Sequence, residues 1–157
     1  HNDFLYATGY GFVSTSEAVE PNYRVEANAR TTDNSAVQNG HRGLRLAAGV
    51  KAGAVGFQLS YNHATGLLAV LKVVTVVKSH AITLGYRESW KPALTVHEHN
   101  DGSGNPTATL RVYVNDIEIP ELSVTDPDLR AGKPGFRAEG GSSQHHYFYD
   151  LTVEKLA

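Results

Sequence analysis

The chain of 157 residues contains no cysteine. Disulfides, thiolate metal sites and cysteine nucleophiles are therefore excluded. No stretch approaches the 18 consecutive apolar residues that suggest a membrane-spanning helix, so we expect no membrane span. The formal net charge is −2 and no run of like charge exceeds two residues. Because phosphate binding requires a basic stripe, we expect no nucleic-acid partner.

The length suits one domain with one hydrophobic core, so we expect a single domain over residues 1–157. The chain begins His-Asn-Asp, with no charged segment leading into an apolar one, and no signal peptide is expected within it. These features fit a domain excised from a larger secreted protein.

Short stretches in which apolar and polar residues alternate dominate the chain. This alternation predicts strands with one buried side and one solvent-facing side. No segment keeps apolar residues at helical spacing over more than two turns. The run Leu67 to Val77 is interpreted as one or two strands because its β-branched residues disfavour a helix. Ten strands are predicted: Phe4–Ser14, Tyr23–Thr31, Arg42–Ala48, Val55–Asn62, Leu67–Val74, His80–Arg87, Ala93–His99, Thr107–Asn115, Gly135–Glu139 and Tyr147–Val153.

Turn-forming residues separate the predicted strands. The segment Asn100 to Pro106 has the composition of a long hairpin tip. Pro120 and Pro127 exclude a central strand from the polar segment that contains them. Ten short strands with turns at this spacing predict an all-β fold, a two-sheet antiparallel β-sandwich of jelly-roll type.

Eight segments occur in a characteristic order: Tyr23–Ala27, Gly43–Leu46, Gly56–Leu59, Leu68–Lys72, Trp90 with Leu94–Val96, Leu110–Asn115, Gly132 with Gly135–Phe136, and Tyr149–Val153. In this order the chain resembles the concanavalin A-like lectin/glucanase superfamily, in its laminin-G-like, carbohydrate-binding-module-like branch. The resemblance implies two curved sheets, with glycans bound on the concave face or at rim loops. It leaves the function open, because the fold hosts lectins, glycosidases, lyases and adhesion modules.

One position departs from that resemblance. Such domains usually place glycine after an asparagine that corresponds to Asn115, where this chain has Asp116. Asparagine and aspartate both tolerate the left-handed backbone region, so a turn is still expected there.

Catalysis is the less favoured interpretation, and no catalytic residue is assigned. Glycosidases need two carboxyl groups about 5–5.5 Å or about 6.5–9.5 Å apart, and the Glu-x-Asp-x-x-Glu motif of the superfamily's glucanases is missing. The motifs of jelly-roll alginate lyases are missing as well. Glu98 shares its parity with Leu94 and Val96 and so points towards the core, but alternation often breaks near a hairpin end and leaves such a residue in water.

The most suggestive polar residues lie on two neighbouring strands. His97 and His99 share one strand face, as do Arg111 and Tyr113, and we expect all four on one outer surface because a hairpin loop joins the strands. Arginine and histidine donate to sugar hydroxyls or uronate carboxylates, and tyrosine supplies a stacking plane. Lyase chemistry by His97 or Tyr113 with Arg111, and a solvated face with ordinary cross-strand pairs, are the alternatives. The predicted ligand-binding set is Arg45, Gln58, His97, His99, Arg111 and Tyr113.

Calcium is a family-based expectation. Related modules often bind it near the joined termini or at a rim loop, through carboxylate and carbonyl oxygens. Asp150, Asp3 and the loop Asn100 to Asn105 supply such oxygens, and Asp150 is the assigned residue. His97 and His99 are suitably spaced for a shared metal, but no third ligand is identifiable, so surface histidines are favoured.

The sequence therefore favours non-catalytic binding of a polysaccharide or oligosaccharide. The expected setting is a bacterial secreted or cell-surface glycan-processing system, with parent enzyme domains as neighbours. A small polysaccharide lyase or glycoside hydrolase is one alternative, and a structural or adhesion domain that binds protein is another.

Overall fold

The computed structural model describes residues 4–7, 11–14, 22–31, 43–51, 56–62, 65–84, 88–130, 132–139 and 146–156. Two short 3-10 helices, Pro120–Leu122 and Pro127–Arg130, lie within these residues, and no helix of this described part has the length and apolar character to cross a membrane. The strands of the described part, β1 to β13, are Phe4–Ala7, Gly11–Ser14, Tyr23–Thr31, Gly43–Val50, Phe57–Asn62, Leu67–Lys72, Thr75–Ala81, Pro92–Asn100, Pro106–Val114, Ile117–Glu118, Val124–Thr125, Lys133–Glu139 and His146–Lys155.

The strands form two antiparallel sheets. Sheet A has the order β1-β13-β3-β8-β9-β10, with β11 also pairing with β9, and sheet B has the order β2-β12-β4-β5-β6-β7. The predicted antiparallel sandwich is confirmed. The single strand predicted over Phe4–Ser14 is wrong, because β1 pairs with β13 in sheet A whereas β2 pairs with β12 in sheet B.

The core lies between the sheets and is built from alternate residues of the strands. From β5, for example, Phe57, Leu59 and Tyr61 enter the core, while Gln58 and Ser60 point to the other side of sheet B. Full burial of one large apolar side chain contributes about 1.5–3 kcal/mol. The two-residue period of the sequence therefore decides which side chains remain for the two outer faces.

The valine-rich segment folds as a hairpin, β6 followed by β7. Its turn contains Val73 and Val74, and Val73 has a φ of 58°, a conformation that is unfavourable for a β-branched residue. The strand predicted over His80–Arg87 is consequently misplaced: β7 spans Thr75–Ala81, and residues 85–87 lie outside the described residues. Two consecutive valines are not typical of a turn, so the sequence pattern did not locate this turn or the strand that follows it.

The turn between β9 and β10 forms without glycine. Asn115 and Asp116 have φ values of 50° and 67°, and the residues flanking them, Val114 and Ile117, pair directly. Positive φ at both central residues matches the hairpin turn of type I′. The expectation that Asn-Asp would turn here is confirmed.

Tyr23 links the two sheets through the core. Its side chain is fully buried, and its Oη accepts a hydrogen bond from the backbone N–H of Gly49 in β4, at 3.0 Å. Burial raises the pKa of Tyr23 to about 12, although the hydrogen bond from Gly49 lowers it in part. A phenol in the unfolded chain ionises near pH 10. The stability that depends on a neutral Tyr23 is therefore complete below about pH 10 and is lost as the pH rises towards about 12.

We expect Tyr23→Phe to lower the free energy of unfolding at neutral pH by about 1–3 kcal/mol, because the buried Gly49 N–H loses its acceptor. Above about pH 10 the wild type should lose up to about 1.4 kcal/mol per pH unit more steeply than the variant, whose residue 23 has no proton to release. Guanidinium unfolding measured at a series of pH values tests both effects. Tyr113→Phe, on an outer face, is the control and should change neither quantity. Parallel stability-versus-pH curves for wild type and Tyr23→Phe would contradict this account.

Candidate functional site

Four of the six predicted ligand-binding residues lie together on the outer face of sheet A. Strands β8 and β9 pair along their length, and their alternate residues, such as Val96, enter the core. The side chains of His97, His99 and Arg111 are exposed, and that of Tyr113 is half-buried. The expected common surface of these four is confirmed, and their role in binding remains a prediction.

The four side chains form a stripe and do not converge on one point. Tyr113 pairs with Ala93, and His97 lies four residues further along β8. At about 3.3 Å per residue this separates His97 from Tyr113 by about 13 Å along the strands. The two groups therefore do not share a reaction centre. Arg111 lies between them, within diagonal cross-strand reach of His97.

Arg24 of β3 completes one end of this stripe. Its Cζ atom lies 4.9 Å from the centroid of the Tyr113 ring, in a cation–π contact. Its Nε and Nη2 atoms donate to the same carboxylate oxygen of Glu26, at 3.1 and 2.7 Å. One face of the tyrosine ring is thus occupied by the protein itself. Sequence parity places Arg24 on the outer side of its strand, but nothing in the sequence shows that β3 lies beside β8.

The two histidines of the stripe differ in their hydrogen bonds. The Nε2 atom of His99 lies 2.7 Å from Oγ1 of Thr109, and its Nδ1 atom lies 3.0 Å from the carbonyl oxygen of Asn100. Within the described part of the chain, the ring of His97 makes no hydrogen bond. His97 is therefore the histidine whose ring is available to a ligand.

Glu98 is exposed at the end of β8. Its carboxylate accepts a hydrogen bond from Nε of Arg130 at 2.6 Å, so the alternation does break at the hairpin end. A glycosidase would require a second carboxyl group about 5–5.5 Å or about 6.5–9.5 Å from this one.

Arg45 and Gln58 lie on the opposite side of the sandwich. They belong to β4 and β5 of sheet B and face away from the core, yet their exposures are only 5% and 1%. Nη1 of Arg45 donates to Oε1 of Gln58 at 3.0 Å, and Nε2 of Gln58 donates to the carbonyl oxygen of Val73 at 2.7 Å. Although the sequence predicts Arg45 and Gln58 in one ligand-binding set with the other four, they do not lie on the same surface, because β4 and β5 are in the other sheet. The pair instead supports the strained turn at Val73.

Asp150, the predicted calcium ligand, lies in a register irregularity of β13 with a φ of 52°. Its carboxylate is exposed and accepts a hydrogen bond from Nδ2 of Asn28 at 3.2 Å. Asp3, the other acidic residue named for calcium, lies outside the described residues. In the described part of the chain, no three His, Asp or Glu side chains come together as a metal site. Calcium at Asp150 remains a prediction.

The loop between β8 and β9 is organised by its own aspartate. Oδ1 of Asp101 accepts hydrogen bonds from the backbone N–H groups of Asn105 and Ser103, at 2.9 and 2.8 Å. These bonds lower the pKa of Asp101. The Asp101 carboxylate thus holds the hairpin tip together, and this role explains its position without a metal ion.

Comparison with known proteins places the fold. No protein-family description matches the sequence, and no curated protein matches it. Solved structures do match. A carbohydrate-binding module from Bacillus subtilis is 15% identical with a TM-score of 0.67, covering 95% of this chain and 84% of that one. The Caenorhabditis elegans galectin LEC-6 is 8% identical with a TM-score of 0.58, covering 94% and 95%. The alginate lyase Aly36B is 10% identical with a TM-score of 0.56, covering 98% and 80%.

At these identities the likeness shows the fold alone. The two-sheet antiparallel β-sandwich expected from the sequence is confirmed, and it is the fold of these solved structures. Since a binding module, a galectin and a lyase share it, the choice between binding and cleavage rests on the residues of this chain.

We expect Gln58→Leu to lower the free energy of unfolding by about 2–4 kcal/mol, because it removes one buried acceptor of the Arg45 guanidinium. It also removes the donor that reaches the Val73 carbonyl. Urea unfolding of the variant beside wild type measures the loss. Ser79→Ala, at an exposed position of β7, the edge strand of the same sheet, is the control and should stay within about 0.5 kcal/mol of wild type. A Gln58→Leu variant as stable as the control would show that the pair supports nothing.

Proposed function

We propose that this chain is a non-catalytic module that binds a polysaccharide or oligosaccharide on the outer face of sheet A. The observation that carries the proposal is the stripe of accessible His97, Arg111 and Tyr113 along β8 and β9. It offers hydrogen-bond donors and an aromatic ring on a firm surface, because the reverse side of the same strands packs into the core.

The charges around the stripe are largely paired. Arg24 is paired with Glu26, and Lys91 with Asp116, whose hydrogen bond raises the pKa of Lys91. Nε of Arg111 lies 4.0 Å from the nearest oxygen of Glu118, at the limit of an ion pair. Most of the binding free energy is therefore expected from directed hydrogen bonds and ring contacts, with little from long-range attraction.

The geometry favours binding over cleavage. About 13 Å separates His97 from Tyr113 along the strands, and the Glu98 carboxylate is engaged by Arg130. The fold is compatible with the proposal, since a carbohydrate-binding module and a galectin share it. We further propose a secreted or cell-surface location within a glycan-processing system, with enzyme domains of the same protein as neighbours.

A glycan array tests the function and the surface together. We expect wild type to bind at least one class of glycan, and Arg111→Ala and Tyr113→Ala to bind it about tenfold more weakly, the effect of losing about 1.4 kcal/mol. Lys78→Ala, on the edge strand of sheet B, is the control and should bind as wild type does. If wild type binds and both sheet A variants keep full affinity, the surface is wrong. If wild type binds no glycan and forms a stable dimer, the structural or adhesion alternative takes precedence.

Incubation with uronic-acid polysaccharides distinguishes binding from lyase activity. A lyase creates unsaturated chain ends that absorb ultraviolet light, and we expect no such absorbance to develop. Absorbance that grows with wild type and disappears with His97→Ala would replace the binding proposal with a lyase.

A further inference from the structure

Three neighbouring strands of sheet A place two arginines on either side of a threonine. Arg24 of β3 pairs with Thr95 of β8, and Thr95 pairs with Arg111 of β9. All three point to the outer face, since the residues next to them, such as Leu94, enter the core. Neighbouring strands are about 4.8 Å apart, so the Cα atoms of the two arginines are separated by about 10 Å. We name these three residues the Arg-Thr-Arg rung.

The hydroxyl at the centre of the rung has no partner among the described residues. Thr95 is 4% exposed, and its Oγ1 atom is buried without a hydrogen bond to this part of the chain. Buried polar atoms are nearly always paired in folded proteins, so an unpaired one calls for an explanation. Neither arginine can accept the hydroxyl proton, because guanidinium groups only donate. An acceptor is therefore what the rung lacks.

The two arginines differ in how far their hydrogen-bond donors are already used within the protein. Arg24 holds Glu26 at 2.7 Å and covers the ring of Tyr113. Arg111 is half exposed and has only the 4.0 Å contact with Glu118 among the described residues. Arg111 is therefore the arginine with donors to spare, and Arg24 is the supporting one.

The surroundings of the rung argue against simple attraction of any polyanion. Glu26, Asp116 and Glu118 stand around it, and the net charge of the chain is −2. An anion is favoured here only when its oxygens meet the three donors directly. Recognition of one acidic group in a fixed position satisfies that condition. A ligand that merely carries many negative charges does not satisfy it.

Building on the proposed function, we propose that the bound glycan is acidic and that the Arg-Thr-Arg rung holds its acidic group, a carboxylate or a sulfate ester. The aliphatic parts of the two arginine side chains move apart, so that one oxygen of the acidic group reaches Thr95. That oxygen accepts a hydrogen bond from the Thr95 hydroxyl. Other oxygens of the group accept from Arg111 and Arg24, in the charge-assisted geometry that guanidinium groups favour. The neutral parts of the sugar then lie along the stripe towards His97.

The experiment compares each glycan backbone in an acidic and a neutral form, uronate with its methyl ester and sulfated with desulfated, by array and by titration calorimetry. We expect wild type to bind the acidic form at least tenfold more tightly. Thr95→Val and Arg111→Gln should each lose most of that preference. Thr95→Val should also be at least as stable to urea as wild type, so a folding defect would not explain its loss. Lys51→Gln, which removes one positive charge from the sheet B side, should keep the full preference.

Each outcome bears on the inference. Equal binding of acidic and neutral forms overturns it and leaves the proposed function standing. An acidic preference that Thr95→Val leaves intact, or that Lys51→Gln lowers as much as Arg111→Gln does, also overturns it, because net charge would then be the cause. Failure of wild type to bind any glycan removes the proposed function and this inference together.

Discussion

The structure depends on two sheets pressed together through one apolar layer. Each long strand gives alternate side chains to that layer, and the buried hydrogen bond from the Gly49 N–H to Tyr23 joins the sheets across it. Successive residues of a strand alternate between its two sides. The side chains that are placed in the core therefore determine which side chains lie on the outer face. The surfaces on which function is proposed are thus a direct consequence of how the core is filled.

The two outer faces obtained in this way differ in character. On sheet B the polar side chains of Arg45 and Gln58 are buried and bonded to each other, and they brace a turn in which Val73 is strained. On sheet A the polar side chains are largely accessible, and among those that the structure describes Thr95 alone is both buried and unpaired. Among the described residues, the buried Arg45–Gln58 pair of sheet B thus serves the fold, while His97 and most of Arg111 on sheet A stay accessible to a partner.

A fold shared by a binding module, a galectin and an alginate lyase does not choose a function. The spacing of the side chains favours binding: a stripe of donors along two strands suits an extended ligand, whereas the separation of His97 from Tyr113 does not suit chemistry at one atom. The Arg-Thr-Arg rung adds a preference for an acidic glycan, because its three donors share no acceptor and an anionic oxygen is the acceptor that suits them best.

The sequence by itself determined most of the long strands, their inner and outer sides, the Asn-Asp turn and the common surface of His97 and Arg111. These features follow from parity and from one short hairpin, which are local properties of the chain. The tertiary structure decided that Arg45 belongs to the opposite sheet and that Arg24 stands beside Thr95. It also divided the predicted first strand between the sheets. Packing of the whole sandwich selects which strands pair when they are distant in the chain. The alternation within one strand does not predict which strand lies beside it.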